Sequence, residues 1–167
     1  MRGTAARRRG AAPAPTVAWS AALAALLLDQ LSKHWALGHL DLGEAVRLVP
    51  GLLDLRLVHN NGAAFSLLSG STTLLAVVSS AVSIVLVISL VLRPPERTRQ
   101  ALALGLLLGG AAGNGLDRWR LGSVVDFLAL VPVPFPVFNL ADVAINLAVV
   151  AFVLDLLADR PPPGSHG

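Results

Sequence analysis

Apolar residues run in long blocks along this chain, and most charged residues fall between the blocks. The clearest block, Thr72 to Leu92, holds no charge. At about 1.5 Å of rise per residue it is long enough to cross a hydrocarbon core of roughly 30 Å. Three weaker blocks, at about 16–36, 101–116 and 140–157, each carry polar residues towards one end. The pattern predicts an all-α polytopic membrane protein with four transmembrane helices. Between the first two spans, Asp54-Leu55-Arg56-Leu57-Val58-His59 alternates as a strand does, and Asn60-Asn61-Gly62 follows as a turn. A small β element is therefore expected in the outer segment 37–71.

Composition agrees with this reading. Of 167 residues, 54% are hydrophobic and 14% charged, and the mean hydropathy is +0.70, too apolar for an ordinary soluble domain. A net charge of +3 would also suit nucleic acid, but the placement of the charges suits membrane topology better. Arg2, Arg7, Arg8, Arg9, Arg93, Arg97, Arg99 and Arg160 fall in segments that share one side of the membrane. On the other side Arg47, Arg56, Arg118 and Arg120 are offset by Asp41, Glu44, Asp54, Asp117 and Asp126. The positive-inside rule then puts both termini in the cytoplasm, and no nucleic-acid partner is expected. The absence of cysteine excludes disulfides and thiol nucleophiles, and four scattered histidines form no metal-binding pair. Neither a metal nor an organic cofactor is expected.

The basic head, 1–15, and the proline-rich tail, 158–167, read as disordered cytoplasmic ends flanking a single membrane domain, 16–157. An arginine-rich start before an apolar block also fits a cleavable secretory signal. Three later spans and the polar end of the first block argue that it is retained. In the third block Gly105, Gly109 and Gly113 recur every fourth residue, a stripe that lets a second helix approach closely.

A carboxylate at the bilayer centre costs about 2.5–3.5 kcal/mol, so acids near apolar spans call for an explanation. Asp29, Asp117, Asp126 and Asp142 all map to the outer face, while Asp155 lies in the last turn on the cytoplasmic side. On a helix Asn114, Asp117 and Arg118 share a face through i,i+3 and i,i+4 spacing. A helix end at which Asp117 and Arg118 satisfy each other explains that face as well. Asn139 and Asp142 suit the cap and first turn of the fourth span. That account leaves out Asn146, which extends the polar stripe one turn inward.

Asp126 lies in Ser123-Val124-Val125-Asp126-Phe127, and no charge follows until after Phe138. Pro132, Pro134 and Pro136 alternate within that stretch, which forbids a regular helix. A connection of this kind can fold back and bring Asp126 to Asp142. Two carboxylates in one site retain a shared proton, leaving one acid and one base. On spacing alone, two independent surface acids account for the same pattern. Asn61 beside its turn is explained by local turn chemistry, and His59 has little beyond its identity to mark it as a general base.

Four segments together carry a resemblance: Asp29-Gln30-Leu31-Ser32-Lys33; Asn61-Gly62-Ala63-Ala64-Phe65-Ser66; Gly113-Asn114-Gly115-Leu116-Asp117-Arg118 running on to Gly122-Ser123-Val124-Val125-Asp126-Phe127; and Phe138-Asn139-Leu140-Ala141-Asp142-Val143-Ala144-Ile145. In this order, with four spans, they resemble the lipoprotein signal peptidases (signal peptidase II), a bacterial family of membrane aspartyl proteases. The resemblance implies a small extracytoplasmic β cradle, at about 37–71, and a short helical segment between spans three and four. It implies a multi-pass enzyme of the bacterial inner membrane, with its site near the extracytoplasmic face. The implied substrates are diacylglyceryl-modified prolipoproteins, cut just before the modified cysteine, with membrane lipid and globomycin-type cyclic peptide inhibitors as the other partners and a monomer as the expected state. The family's catalytic aspartates fall on Asp126 and Asp142. Asn61, Asn114, Arg118 and Asn139 match positions that line the site, and Asp29 and Asp117 match supporting positions. Gly115 departs from the bulkier apolar residue common there.

Two other readings remain open at this point. A Ser–Lys signal peptidase would use Lys33, the single lysine, with Ser32 or Ser66, although adjacent helical residues do not face each other. A small proton-coupled transporter would also place acids near membrane helices, but nearer the midplane and often in repeats. A purely structural scaffold leaves the acids gathered on one face unexplained.

Overall fold

The computed structural model describes residues 13–62 and 71–158. Its elements are α1 (Ala14–His39), β1 (Ala45–Val49), β2 (Leu53–Asn60), α2 (Thr72–Leu92), α3 (Thr98–Leu121), β3 (Val124–Leu130) and α4 (Leu140–Ala158). The uncharged block 72–92 is one helix with the expected bounds. Of the expected head and tail, Ala14, Pro15 and Ala158 are helical and Pro13 caps α1; the remainder lies outside the described residues, as do Ala63, Ala64, Phe65 and Ser66.

Helices α1, α2 and α4 are each long and apolar enough to cross a membrane. Their outer surfaces carry large bare aliphatics, Leu28, Leu31, Val85, Val91 and Leu156 among them, all at least 60% exposed. Water would penalise a surface of this kind, whereas lipid does not. The chain is an integral membrane protein.

Helix α3 sits at the middle of the bundle, packed on α1, α2 and α4. The glycine stripe explains its position. A Cβ at Gly105 or Gly109 would strike the backbone of α1 at Ala18 and Ala22, and one at Gly113 would strike the Asp29 carboxylate. Along α1 the buried positions are Ala18, Ala22, Ala25, Asp29, Lys33 and Ala36, one stripe at helical spacing. Gly115 has a similar reason, since a Cβ there would stand 3.1 Å from that of Ser79 on α2.

The sheet has the order β1-β2-β3 and is antiparallel throughout. Its third strand comes from beyond α3, so the β cradle is not confined to 37–71. This corrects the expected helical segment between the third and fourth helices: residues 122–139, all described, contain β3 and no helix. Gly122 ends α3 in the left-handed region at φ 71°. Val124, Val125 and Phe127 then favour a strand that buries them against β2. Further on, Pro132, Pro134 and Pro136 deny a helix its N–H donors. The chain folds back at Phe138, whose carbonyl accepts from the Phe127 and Leu128 amides at 3.0 and 2.8 Å. That return sets the start of α4 beside Asp126.

Candidate active site

The site is built where the C-terminal part of α3, the N-terminus of α4 and the buried edge strand β3 meet. Asn139 precedes α4 and caps it. Its Oδ1 accepts from the Asp142 amide at 2.9 Å, and Asp142 Oδ2 accepts from the Asn139 amide at 3.2 Å. This reciprocal pair is a capping box with aspartate in the third helical position. The cap explanation is thus correct, and it is incomplete. Asn139 Nδ2 also donates to Asp126 Oδ1 at 2.6 Å. One fully buried residue therefore bridges the two carboxylates, its backbone N–H bonding Asp142 and its side-chain NH₂ bonding Asp126.

Asp126, 2% exposed, lies on β3. Its other oxygen accepts from Asn60 Nδ2 at 2.8 Å. Strand register explains the contact: Val58 pairs with Asp126 and Asn60 with Val124, so Asn60 shares a sheet face with the carboxylate. Asn61, expected to line the site, is exposed and is not among the residues that line the cavity. His59 meets Ser123 Oγ at 3.2 Å instead of entering the site. Burial pushes the Asp126 carboxyl up to about 6; the Asn60 hydrogen bond opposes the rise and the Asp142 charge adds to it.

Asp126 and Asp142 line one cavity of about 470 Å³, together with Asn60, Asn114, Arg118 and Asn146. Its apolar wall includes Phe138, Val143, Leu147 and Val150. Leu147 and Val150 are also exposed on the outside of α4, so the wall reaches the lipid-facing surface. Asn114 Nδ2 donates to Asp142 Oδ1 at 2.9 Å. Arg118 donates to the Asn114 and Gly62 carbonyls, both at 3.3 Å, while its buried Nε has no partner among the described residues.

Asp117 departs from its expected neighbours. It turns away from Arg118 and towards α1, where it meets Lys33 Nζ at 2.9 Å and accepts from Gln30 at 3.0 Å and the Val125 amide at 3.1 Å. Asp29 likewise pairs with Lys33 at 2.9 Å and accepts from the Ala141 amide at 2.9 Å. These two acids tie α1 to α3, β3 and the start of α4. The Lys33 ammonium is occupied by Asp29, Asp117 and Asn114 Oδ1, the last at 2.9 Å. Its three protons are thus accounted for, and Ser32 Oγ donates to the Asp29 carbonyl. A Ser32–Lys33 nucleophile is therefore ruled out by geometry.

Sequence reasoning missed Asn60 and the position of Lys33. The buried stripe of α1 was the available signal for Lys33, because extending Ala18, Ala22 and Ala25 at helical spacing reaches Asp29, Lys33 and Ala36.

Fold and site together define an integral membrane enzyme with two carboxylates in a partly apolar cavity. Comparison with known proteins gives the family. The family model for signal peptidase (SPase) II matches residues 21–158. A lipoprotein signal peptidase of Parasynechococcus marenigrum (strain WH8102) is 52% identical over 135 residues, covering 81% of this chain and 85% of the relative. One from Brevibacillus brevis (strain 47 / JCM 6285 / NBRC 100599) is 38% identical, covering 84% of this chain and 96% of that one. A solved bacterial membrane enzyme superposes with a TM-score of 0.81 at 28% identity, covering 91% of this chain and 94% of its own. The chain belongs to the signal peptidase II family.

Proposed function

We propose that this chain removes the signal peptide from diacylglyceryl-modified prolipoproteins, cutting just before the lipid-modified cysteine, with Asp126 and Asp142 as the catalytic pair. The observation that carries the reading is the bridge: Asn139 hydrogen-bonds both carboxylates where they line one cavity. Asp126, holding its proton up to about 6, is the acid, and Asp142 is the base. Asp142 takes a proton from water as the water oxygen attacks the scissile carbonyl carbon. The carbonyl oxygen meanwhile takes the Asp126 proton. On collapse that proton returns to Asp126, the C–N bond breaks, and the leaving amine takes the proton held by Asp142. Arg118 and Asn114 hold the substrate backbone and the developing charge; the Arg118 Nε, which has no partner among the described residues, supports that role.

Leu147 and Val150, at once cavity wall and lipid-facing surface, support lateral entry of the diacylglyceryl chains, each buried CH₂ contributing about 0.8 kcal/mol. Helix α3 is the third of four spans in a single domain, 16–157, with both termini in the cytoplasm, in accord with the arginine placement. The site then faces the extracytoplasmic side of the bacterial inner membrane. The enzyme works as a monomer, and globomycin-type cyclic peptides block the cavity. Cleavage of a lipidated prolipoprotein by purified wild type, Asp126→Asn and Asp142→Asn tests the pair. Both variants are expected to retain helical structure and lose turnover. Near-normal cleavage by either would make the assignment wrong.

A further inference from the structure

Lys33 lies outside the cavity, yet it touches one end of the Asn114 side chain whose other end faces Asp142. An ammonium has three donors and no acceptor. The Asn114 atom that faces it at 2.9 Å must therefore be the carbonyl oxygen. Asn139 Nδ2 also points at that oxygen, at 3.0 Å, which fills its second lone pair. The opposite end of the Asn114 side chain is consequently the amide NH₂, a donor, and it meets Asp142 Oδ1 at 2.9 Å. Were the side chain reversed, its oxygen would oppose a carboxylate oxygen and its NH₂ an ammonium, two repulsive contacts.

We propose that Lys33 is a positioning residue that locks the Asn114 amide in one orientation, so that Asp142 always receives a donor. The arrangement rests on the reading of Asp126 and Asp142 as the catalytic pair. Asp29 and Asp117 have a part in it too: 0% and 3% exposed, they hold the 2%-exposed ammonium in place, so that its third proton is directed at Asn114. The polarity set on α1 is thereby transmitted through one amide on α3 to a carboxylate on α4.

Removing Lys33 alone would leave Asp29 and Asp117 buried without a cation, so the test keeps the charge of the cluster constant. Two carboxylates and one ammonium sum to −1, and Lys33→Met with Asp117→Asn leaves Asp29 alone, again −1. With the diacylglyceryl-modified prolipoprotein, kcat of this double variant should fall about tenfold or more, by loss of a preorganised donor, while KM stays within about twofold. Asp117→Asn alone should keep most of kcat. Asn114→Ala should cost kcat several-fold less in the double variant than in the wild type, because the fixed donor to Asp142 is already lost there and only the contact of Asn114 with substrate remains to be removed. Lys33→Arg, which also only donates, should restore much of the lost kcat.

A folded double variant with wild-type kcat would overturn the proposal, as would independent, additive losses from the Lys33 and Asn114 changes. Should the methionine form fail to fold, Lys33→Gln with Asp117→Asn serves instead. Glutamine accepts either Asn114 orientation, so a wild-type kcat in that form overturns the proposal equally. Asp126→Asn and Asp142→Asn run alongside. If they cleave normally the catalytic pair itself fails; if they are inactive while the Lys33 variants are normal, only the amide lock fails.

Discussion

Asn60→Ala removes the 2.8 Å hydrogen bond to Asp126 Oδ2, and the pH profile should register it. The bond favours the ionised carboxylate and so opposes the rise that burial causes. A hydrogen bond to a charged group is worth about 1.5–3 kcal/mol. At 1.36 kcal/mol per unit this corresponds to about one to two units. With Asp126 starting at about 6, the variant should hold its proton to about 7–8. The sign has a specific consequence. With Asp126 as the proton donor of the proposed mechanism, activity falls as pH rises through its value, and losing Asn60 moves that alkaline limb upward. The assay is kcat/KM against pH, which reports the free enzyme. The variant should keep a larger share of its own maximum at pH 8 than the wild type does. Asn61→Ala, at an exposed position beside the cavity, should leave the limb where it is. An unmoved limb in Asn60→Ala, a downward shift, or the same shift in Asn61→Ala would refute the reasoning.

Asn139→Ser should separate the two tasks of that residue: serine still caps α4, so the helical spectrum in detergent should be kept, while the lost bond to buried Asp126 should lower unfolding stability by about 1.5–3 kcal/mol and kcat at least about tenfold. Gly113→Ala places a methyl against the Asp29 carboxylate, and thermal unfolding should show a loss of about 1–3 kcal/mol from overpacking. An unlipidated prolipoprotein should be cut far less efficiently than the lipidated form, and equal kcat/KM for the two would argue against lateral entry of the acyl chains.

Much of the fold was legible because long apolar blocks have few alternatives. Thr72–Leu92 is uncharged throughout and stops at Arg93, and the Gly105, Gly109 and Gly113 stripe anticipated close helix contact, here with α1. The fold-back between Asp126 and Asp142 was legible for the opposite reason, since alternating prolines leave the chain few conformations. Strand parity was not. A turn signal at Asn60-Asn61-Gly62 places the end of β2 to within a residue, and one residue decides which asparagine faces Asp126. The helical segment expected between the third and fourth helices came from the family resemblance, and β3 itself went unread because its pairing with β2 is a contact between distant segments, invisible in local pattern. Asp117 escaped a reading based on its own helix, for its partners Lys33 and Gln30 stand on α1, more than eighty positions away in the chain.

Helix α3 contains the glycines that admit its neighbours, and it is not among the helices apolar enough to cross a membrane by themselves. The same substitution of glycine for bulk that permits close packing removes the oiliness that would carry a segment into lipid. The proposed residence of α3 in the bilayer would therefore be a property of the assembly. During synthesis α1 emerges before it, already bearing the small-residue groove of Ala18, Ala22 and Ala25. The middle of this enzyme is consequently its most dependent part: α3 reaches its place only as its partners reach theirs, and it brings Asn114 and Arg118 with it.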